Sequence, residues 1–486
     1  MDDFNKYKYQ NELKTVGVYM SILDLPYYNQ SSRDELMVLL MFKREIIKQA
    51  LRPESALNEV FRCLIDDLRL LKVNGIKLSN GVRLVVNLAQ VTGDNLATNE
   101  MLRLPRNFTL DSCKYCKLFH SDLQSSTCLG DIVMNREMRG DHLFAPIVNQ
   151  PYLYCPDPMH DFFEGGIVSK VLNPLLSIYY QKPSQLLEKI NFKNGPIKIN
   201  KKNDTFQISG KGIQIVEFFY SFSFLDDQIA RNSEHWRVYL LLRSIVNFFT
   251  ATEIQRDSVE ASRALVYEFL NLYYKLFVET KLETATFKLH HLCHYPDLVL
   301  IFGPLFFCSN WRYERFHQSH VQLVCSRSGI NAESTMARAF LQKFNLNLDQ
   351  DQLTYSKADL TPAIKQTYRR FSGFVNLEEG FKVVKSATIR KVIFEPGCAF
   401  VKLAADNPLF CKIEIIFEQN SRLVVICKQF QTIRYCRKLA SYVVHLTENL
   451  TTIDPYDLVY YRSLPIHNNL INKDFHLVNQ NVLGFH

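Results

Sequence analysis

Apolar residues change their spacing twice along this chain, and that change restricts what the chain can fold into. Up to about residue 100 they fall in short runs around one amphipathic stretch, and from about residue 159 to residue 283 they recur at helical spacing. After about residue 381 they return to short β-rich runs. The sequence therefore predicts an α/β chain with a mostly helical middle and a small β-rich carboxyl-terminal domain.

The amino-terminal part alternates strand and helix signals. In chain order they predict a strand over residues 16–25, an extended or helical run over 35–42, a helix over 54–71 and a buried strand over 81–91. Asp94 follows the last of these segments closely. Because open α/β folds place their chemistry at the carboxyl ends of strands, Asp94 is a candidate functional residue.

The later segments are assigned by the same spacing rules. Helices are expected over residues 162–180, 236–250, 259–278 and 311–324, a small hairpin within 191–212, and strands of an antiparallel barrel or sandwich over 388–394, 413–417, 423–428 and 441–446. The predicted organisation is a core in two parts at 1–120 and 286–345, a mostly helical insertion at 121–285, a linker at 346–380 and a β-rich domain at 381–486.

The composition favours a folded, mildly basic protein. Hydrophobic residues make up 47% of the chain, which argues against general disorder. The net charge of +8 favours polyanionic partners only slightly, since 57 basic residues stand against 49 acidic ones. The sequence has neither a secretory signal nor the ~18 uninterrupted apolar residues of a membrane span. The twelve cysteines are therefore expected to be thiols or metal ligands in a reducing compartment.

Two pairs of residues have the spacing of metal ligands. Cys113 and Cys116 form a CxxC pair, and His290 and His294 share one face if they lie on a helix. Together they would complete a Cys2His2 zinc set. The adjacent competitors for these roles are His291 and Cys293. The alternative is two ordinary thiols and a partly buried, histidine-rich helix end.

Carboxylates form a third candidate set, because two divalent cations that bridge a scissile phosphate need shared carboxylates from separate elements. The candidates are Asp2, Asp3, Asp94 and Glu314. Spacing alone does not select them, and the ordinary alternative for a single Asp or Glu is a solvated surface charge.

Residues 155–166 are the fourth candidate. Asp157 could cap a helix that has Pro158 at its first position. Cys155, Asp157 and His160 could instead bind a metal.

Five segments together resemble a known family. Residues 156–166 (PDPMHDFFEGG), 288–304 (KLHHLCHYPDLVLIFGP) and 311–320 (WRYERFHQSH) are similar to signatures of animal EnSpm/CACTA-like DNA transposases. The amino-terminal MDDFN and residues 91–97 (VTGDNLA) resemble two further signatures of that family. The match runs in order from residue 2 to about residue 325, so it depends on several motifs and not on one.

The resemblance implies an RNase H-like mixed sheet interrupted by a helical insertion, distantly similar to the catalytic subunit of the V(D)J recombinase. The catalytic residues it implies are Asp2, Asp94 and Glu314, which would hold two Mg²⁺ or Mn²⁺ ions. The structural zinc ligands it implies are Cys113, Cys116, His290 and His294. Asp94 precedes Cys113 by 19 positions and His294 precedes Glu314 by 20, which resembles the spacing in that group.

The implied function is metal-dependent cleavage and transfer of DNA strands in the nucleus, with a homo-oligomer left open and neither a membrane nor a small-molecule substrate as partner. The chain begins one residue before Asp2. We therefore expect an incomplete first strand and a cropped, inactive transposase-derived protein. The alternatives are a catalytically lapsed nuclear DNA- or protein-binding module and a zinc-stabilised scaffold without a nucleic-acid role. The β-rich domain could contact DNA backbone or have no such role.

Overall fold

The computed structural model divides into two compact units, one of Met1–Phe219 with Asp227–Leu348 and one of Tyr220–Asp226 with Asp349–His486. The residues that the structure describes are 2–5, 14–21, 37–50, 52–104, 113–116, 123, 142–148, 153–188, 192, 195–202, 205–225, 228–310, 354–357, 382–389, 392–403, 408–419, 422–436, 441–455, 466–468 and 475–477.

The first unit begins with a three-stranded antiparallel sheet in the order β1-β2-β3. Its strands are β1 (Asp2–Asn5), β2 (Lys14–Met20) and β3 (Met37–Lys43), followed by the helices α1 (Arg44–Lys48) and α2 (Pro53–Asn74). The predicted strand at 16–25 is confirmed over 16–20, and its residues 22–25 lie outside the described residues. The predicted helix at 54–71 is confirmed, and the ambiguous run at 35–42 is a strand over its described residues 37–42. Proline at the start of α2 fits the first turn, where its missing N–H is not needed.

One hydrophobic core joins this sheet to α2 and to later parts of the unit. Phe61 of α2 is fully buried, and its ring makes edge contacts with Phe42 at 6.3 Å and Phe144 at 5.9 Å. Val16 of β2 and Val91 belong to the same cluster of buried side chains. The three-stranded sheet and the segment before Asp94 therefore pack on a common core.

The predicted buried strand at 81–91 is wrong. Only Arg83–Leu84 (β5) forms a strand, and it pairs with Ile76–Lys77 (β4) in a short exposed hairpin. The N–H of Val86 instead donates to the carbonyl of Leu71 near the end of α2, at 3.5 Å, and the same carbonyl also accepts from Gly75 N at 2.9 Å. Residues 81–91 are therefore apolar but do not form one continuous strand.

Val91 makes a parallel backbone bridge with Tyr154, with hydrogen bonds from Val91 N to Leu153 O at 2.7 Å and from Cys155 N to Val91 O at 2.9 Å. Among the described residues, no ladder joins this bridge to β2. The two segments therefore share a core, but no described strand pairing joins them in the single mixed sheet that the resemblance implies.

The middle of the chain is mostly helical, as predicted. Its helices are α3 (Asn95–Met101), α4 (Pro158–Phe162), α5 (Ile167–Tyr179), α6 (Ser184–Glu188), α7 (Gly212–Leu225), α8 (Glu234–Phe249), α9 (Ser258–Tyr273), a π-helical turn (Tyr274–Val278), α10 (Phe287–His291), a 3₁₀ turn (Leu292–His294), α11 (Tyr295–Phe302) and a second 3₁₀ turn (Leu305–Cys308). The predicted hairpin within 191–212 is confirmed as β6 (Lys198–Lys202) and β7 (Thr205–Ser209). The predicted helix at 311–324 lies outside the described residues.

The helix predicted at 162–180 is divided between α4 and α5. At Gly166 an added Cβ would lie 2.4 Å from the carbonyl oxygen of Asp161, so the chain turns where only glycine fits. None of the helices in the described ranges is long and apolar enough to cross a membrane.

The second unit contains the predicted antiparallel β-rich domain. Its strands are β8 (Thr354–Lys357), β9 (Lys382–Ile389), β10 (Val392–Phe394), β11 (Ala399–Leu403), β12 (Leu409–Gln419), β13 (Arg422–Cys436), β14 (Ser441–Ile453), β15 (Ile466–Asn468) and β16 (Phe475–Leu477). They form one sheet along β10-β9-β12-β13-β14-β16-β15, with β11 on β12 and β8 on β9. Because β8 lies within 346–380, that region is not a linker throughout.

Replacing Phe61 by alanine tests the core shared by the sheet and α2. Phe61→Ala is expected to lower the free energy of unfolding by about 3–5 kcal/mol, because it leaves a cavity between two aromatic rings. The measurement is denaturant unfolding followed by circular dichroism. Val73→Ala, on the exposed side of the same helix, is the control and should change it by less than about 0.5 kcal/mol. Equal effects would mean that Phe61 is not at the centre of this core.

Candidate metal centre

Four side chains from two distant segments meet at one point. Cys113 and Cys116 lie in a short turn, His290 in α10 and His294 in the following 3₁₀ turn. One ligand atom from each lies within 4.8 Å of all the others. These are the four residues that the sequence analysis grouped as a zinc set, and the cluster could bind a metal such as zinc.

The distances between these atoms fit a tetrahedral ion. Cys113 Sγ lies 3.5 Å from His294 Nε2, Cys116 Sγ lies 3.1 Å from His290 Nε2, and the two Nε2 atoms are 3.1 Å apart. A tetrahedral zinc with ligand bonds of ~2.0–2.3 Å separates its ligand atoms by roughly 3.3–3.8 Å. Small outward shifts would therefore admit the ion.

Burial and charge prepare the cluster for a cation. Burial raises the pKa of the Cys113 thiol, whereas hydrogen bonds from Cys113 and His290 lower the pKa of Cys116 to about 2. The Cys116 thiol therefore loses its proton more readily than the Cys113 thiol does. Burial also lowers the pKa of His294, which keeps this imidazole in the neutral form that a metal ligand needs.

The local structure explains how the two histidines converge. The side chain of Thr286 caps α10 by accepting a hydrogen bond from Leu289 N, and the helix tightens to a 3₁₀ turn after His291. The predicted single helical face is thus two short helical pieces. The ring of Tyr115 packs on those of His291 and His294, with centroids 5.6 Å and 5.3 Å away. Packing by Tyr115 therefore holds the second pair of ligands against the first turn.

A second polar group lies beside this cluster, and we call it the Asp161 network. Its members are Asn95, Lys114, Asp161, His291 and Tyr295. The Asp161 carboxylate is fully buried and accepts hydrogen bonds from Asn95 Nδ2 at 2.7 Å and Tyr295 Oη at 2.8 Å. His291 Nδ1 lies 3.5 Å from it. Burial alone would raise the pKa of Asp161, but the neighbouring His291 imidazole and the Lys114 charge hold it below the usual range.

Asp157 organises a third group of contacts. As predicted, it is the N-cap of α4, and it accepts a hydrogen bond from Met159 N at 3.1 Å. The same buried carboxylate also accepts from Asn310 N at 3.2 Å and lies 2.5 Å from His160 Nδ1. Cys155, Asp157 and His160 do not form a metal-binding group. Within the described ranges, the Cys2His2 cluster is the only group of this kind.

Asp94 is the N-cap of α3, and its Oδ1 accepts a hydrogen bond from Ala97 N at 2.6 Å. Two residues earlier, Thr92 donates to the carbonyl of Cys308 at 2.6 Å and lies 3.3 Å from Asn310 Oδ1. The segment before Asp94 therefore touches the segment that leads to Glu314.

Of the other two carboxylates that the resemblance implied, the structure describes only the backbone of Asp2. The backbone of Asp2 pairs opposite Gly17 in the first sheet, but its side chain and that of Asp3 are outside the described part. Glu314 lies outside the described residues.

Sequence reasoning missed Asn95, Lys114, Asp161 and Tyr295 as members of one group. Each lies inside or beside a motif that had been singled out, so position in a motif was the available signal. Neither the spacing nor the residue types showed that these motifs share one buried carboxylate.

Comparisons of this chain with protein-family models, with curated proteins and with solved structures give no match. The site is therefore interpreted from its own geometry.

From the geometry of the cluster we expect a bound metal. Purified protein is expected to retain about one divalent metal ion per chain, and Cys113→Ser should lose most of it, because an alcohol replaces a thiolate ligand. Elemental analysis by mass spectrometry measures the content. The control is Cys308→Ser, a buried thiol of the same unit that is not part of the cluster. The same metal content in both variants would mean that the cluster binds no metal.

Proposed function

We propose that this chain is a transposase-derived protein that cleaves DNA strands with divalent cations and is held together by a structural zinc ion. This proposal replaces the inactive protein expected from the sequence, because the backbone of Asp2 lies on a strand paired with β2. The observation that carries the proposal is the contact of Thr92 with Cys308 and Asn310. It joins the neighbourhoods of Asp94 and Glu314, which are 220 positions apart in the sequence.

Chain geometry supports a shared site for these carboxylates. Asp94 follows Thr92 by two residues and Glu314 follows Asn310 by four. Since an extended chain spans at most ~3.6 Å per residue, Asp94 stays within ~7 Å of Thr92 and Glu314 within ~14 Å of Asn310. Both carboxylates can therefore reach ions that sit ~3.5–4 Å apart.

Asp2 would supply the third carboxylate. Its strand pairs with β2, whose Val16 lies in the same core as Val91, three residues before Asp94. This arrangement supports a site built from the first strand, the start of α3 and the segment after Asn310.

The second carboxylate oxygen of Asp94, Oδ2, can bind a cation. Its Oδ1 caps α3, whereas Oδ2 makes no hydrogen bond to a described residue. A bound Mg²⁺ or Mn²⁺ would lower the pKa of an attacking water or of a 3′-hydroxyl of the DNA, and would stabilise the leaving oxygen of an in-line displacement. The task of Asp94, Glu314 and Asp2 is to hold those ions against the scissile phosphate. The net charge of +8 favours a polyanion such as DNA as the partner.

The zinc ion would have a structural role. Two cysteines and two histidines complete a tetrahedral set and leave no position for a water or substrate. Closing the site joins Cys116 to His290 across 174 positions of chain. The ion would therefore fix the helical part of the unit to the turn that follows α3.

One observation favours a second candidate, a DNA- or protein-binding module without cleavage. The Asp94 side chain caps α3 through Ala97 N, and this role accounts for the residue without any catalytic ion.

The experiment compares Mn²⁺-dependent nicking of plasmid DNA by the unaltered chain and by Asp94→Asn and Glu314→Gln. Asn is as good an N-cap as Asp, so Asp94→Asn keeps the cap of α3 and removes only the charge. Both variants are expected to lose cleavage by a factor of at least ~100 without loss of stability. Glu59→Gln, an exposed carboxyl on α2, is the control and should cleave like the unaltered chain.

Absence of nicking by the unaltered chain, together with unaltered Mn²⁺ binding in Asp94→Asn, would remove the enzyme proposal. DNA affinity that falls with salt but needs neither Mn²⁺ nor Asp94 would support the binding module instead.

A further inference from the structure

The side-chain amide of Asn95 is held at both ends. Its Nδ2 donates to Asp161 at 2.7 Å, and its Oδ1 accepts from Lys114 Nζ at 3.1 Å. Asn95 is buried, directly follows Asp94 and is the first residue of α3. The position of this amide is therefore linked to the position of the Asp94 cap.

The groups that hold this amide all connect to the metal cluster. Lys114 lies between Cys113 and Cys116 in the sequence. The other two partners of Asp161 are His291 and Tyr295, which directly follow His290 and His294. The Asn95 amide oxygen thus contacts a residue next to a proposed zinc ligand. The amide nitrogen contacts Asp161, whose other partners are also next to such ligands.

We infer that Asn95 is a positioning residue through which the zinc centre fixes Asp94, so that zinc and the divalent cation at Asp94 bind with positive coupling. The inference rests on the proposed function, because it assumes that Asp94 is a cation ligand. It adds a linkage between two sites that have no ligand in common.

The physical reason is the burial of the network. The buried Asp161 carboxylate keeps its partners because leaving it unpaired is unfavourable, and the part-buried Lys114 ammonium group keeps its hydrogen bond to Asn95 Oδ1. With zinc bound, the turn at 113–116 and the segment at 290–294 are fixed, and Lys114 and Asp161 fix the amide between them. Without zinc, Lys114, His291 and Tyr295 are free to shift, and the start of α3 loses its support. A cation site needs its ligands placed within about 0.5 Å.

The test measures Mn²⁺ affinity by the paramagnetic resonance signal of free Mn²⁺, with zinc content determined on the same samples. Asn95→Ala removes both amide contacts and no proposed ligand. It is expected to keep about one zinc per chain and to bind Mn²⁺ at least tenfold more weakly. Thr98→Val is the matched control, because it removes a buried hydroxyl of the same helix that bonds only to the backbone carbonyls of Asp94 and Asn95. It should change the affinity less than twofold.

The reverse measurement shows linkage directly and uses folded, zinc-loaded protein. Coupling between two sites is reciprocal, so saturating Mg²⁺ should tighten zinc binding in the unaltered chain. Zinc release to a zinc-selective chromogenic chelator is therefore expected to slow about tenfold with Mg²⁺ in the unaltered chain and in Thr98→Val, but not in Asn95→Ala. A merely structural role for Asn95 would accelerate release equally with and without Mg²⁺.

The outcomes separate the two proposals. Suppose that the unaltered chain binds Mn²⁺ through Asp94, but that Asn95→Ala does not weaken Mn²⁺ binding and Mg²⁺ does not slow zinc release. The coupling is then wrong and the proposed function stands. If the zinc-loaded chain binds no Mn²⁺ and Asp94→Asn makes no difference, both are wrong.

Discussion

The fully buried carboxylate of Asp161 is the constraint around which the described part of the site is arranged. An ionised carboxylate away from water needs several donors, and this one receives them from Asn95 and Tyr295, with His291 beside it. These partners come from α3 and from the consecutive helices α10 and α11, so one charge on α4 specifies how three distant segments meet. Apolar packing alone would allow many relative positions of these segments, whereas hydrogen bonds to a buried charge permit few.

The same use of carboxylates recurs at the ends of helices. Asp94 caps α3 and Asp157 caps α4, and each accepts a backbone N–H that would otherwise have no partner. Asp157 does more than cap, because it also receives the N–H of Asn310, whose side chain lies beside Thr92. Asp157 therefore orients α4 and also holds the segment at Asn310. Because that segment contacts Thr92, two residues before Asp94, the position of Asp94 depends on the surrounding unit and not on α3 alone.

The sequence predicted those features that depend on local periodicity or on a full set of donor types. The helix over 54–71 has its apolar residues on one face, and the zinc set could be grouped because CxxC and a histidine pair are together four donors of the right chemistry. The predicted strand at 81–91 was wrong because apolar composition does not say which backbone groups will pair. The N–H of Val86 donates to the carbonyl of Leu71 near the end of α2 and not to a neighbouring strand. Asp161 was missed because nothing in sequence distinguishes a buried acid from the many exposed ones. Its partners are 66 and 134 positions away, and such distances carry no local pattern.

The metal cluster and the Asp161 network have complementary physical roles. Joining Cys113 to His294 closes a loop of 181 positions, and the entropy lost in closing a loop grows only slowly with its length. A metal with four strong ligands can oppose that loss at a single point, but it leaves the flanking side chains free to rotate. The network restricts those side chains, since Lys114, His291 and Tyr295 each follow a ligand directly and each faces a fixed partner. Long-range closure by the cluster and local orientation by the network are therefore separate contributions, and Asn95 is the residue at which both reach Asp94.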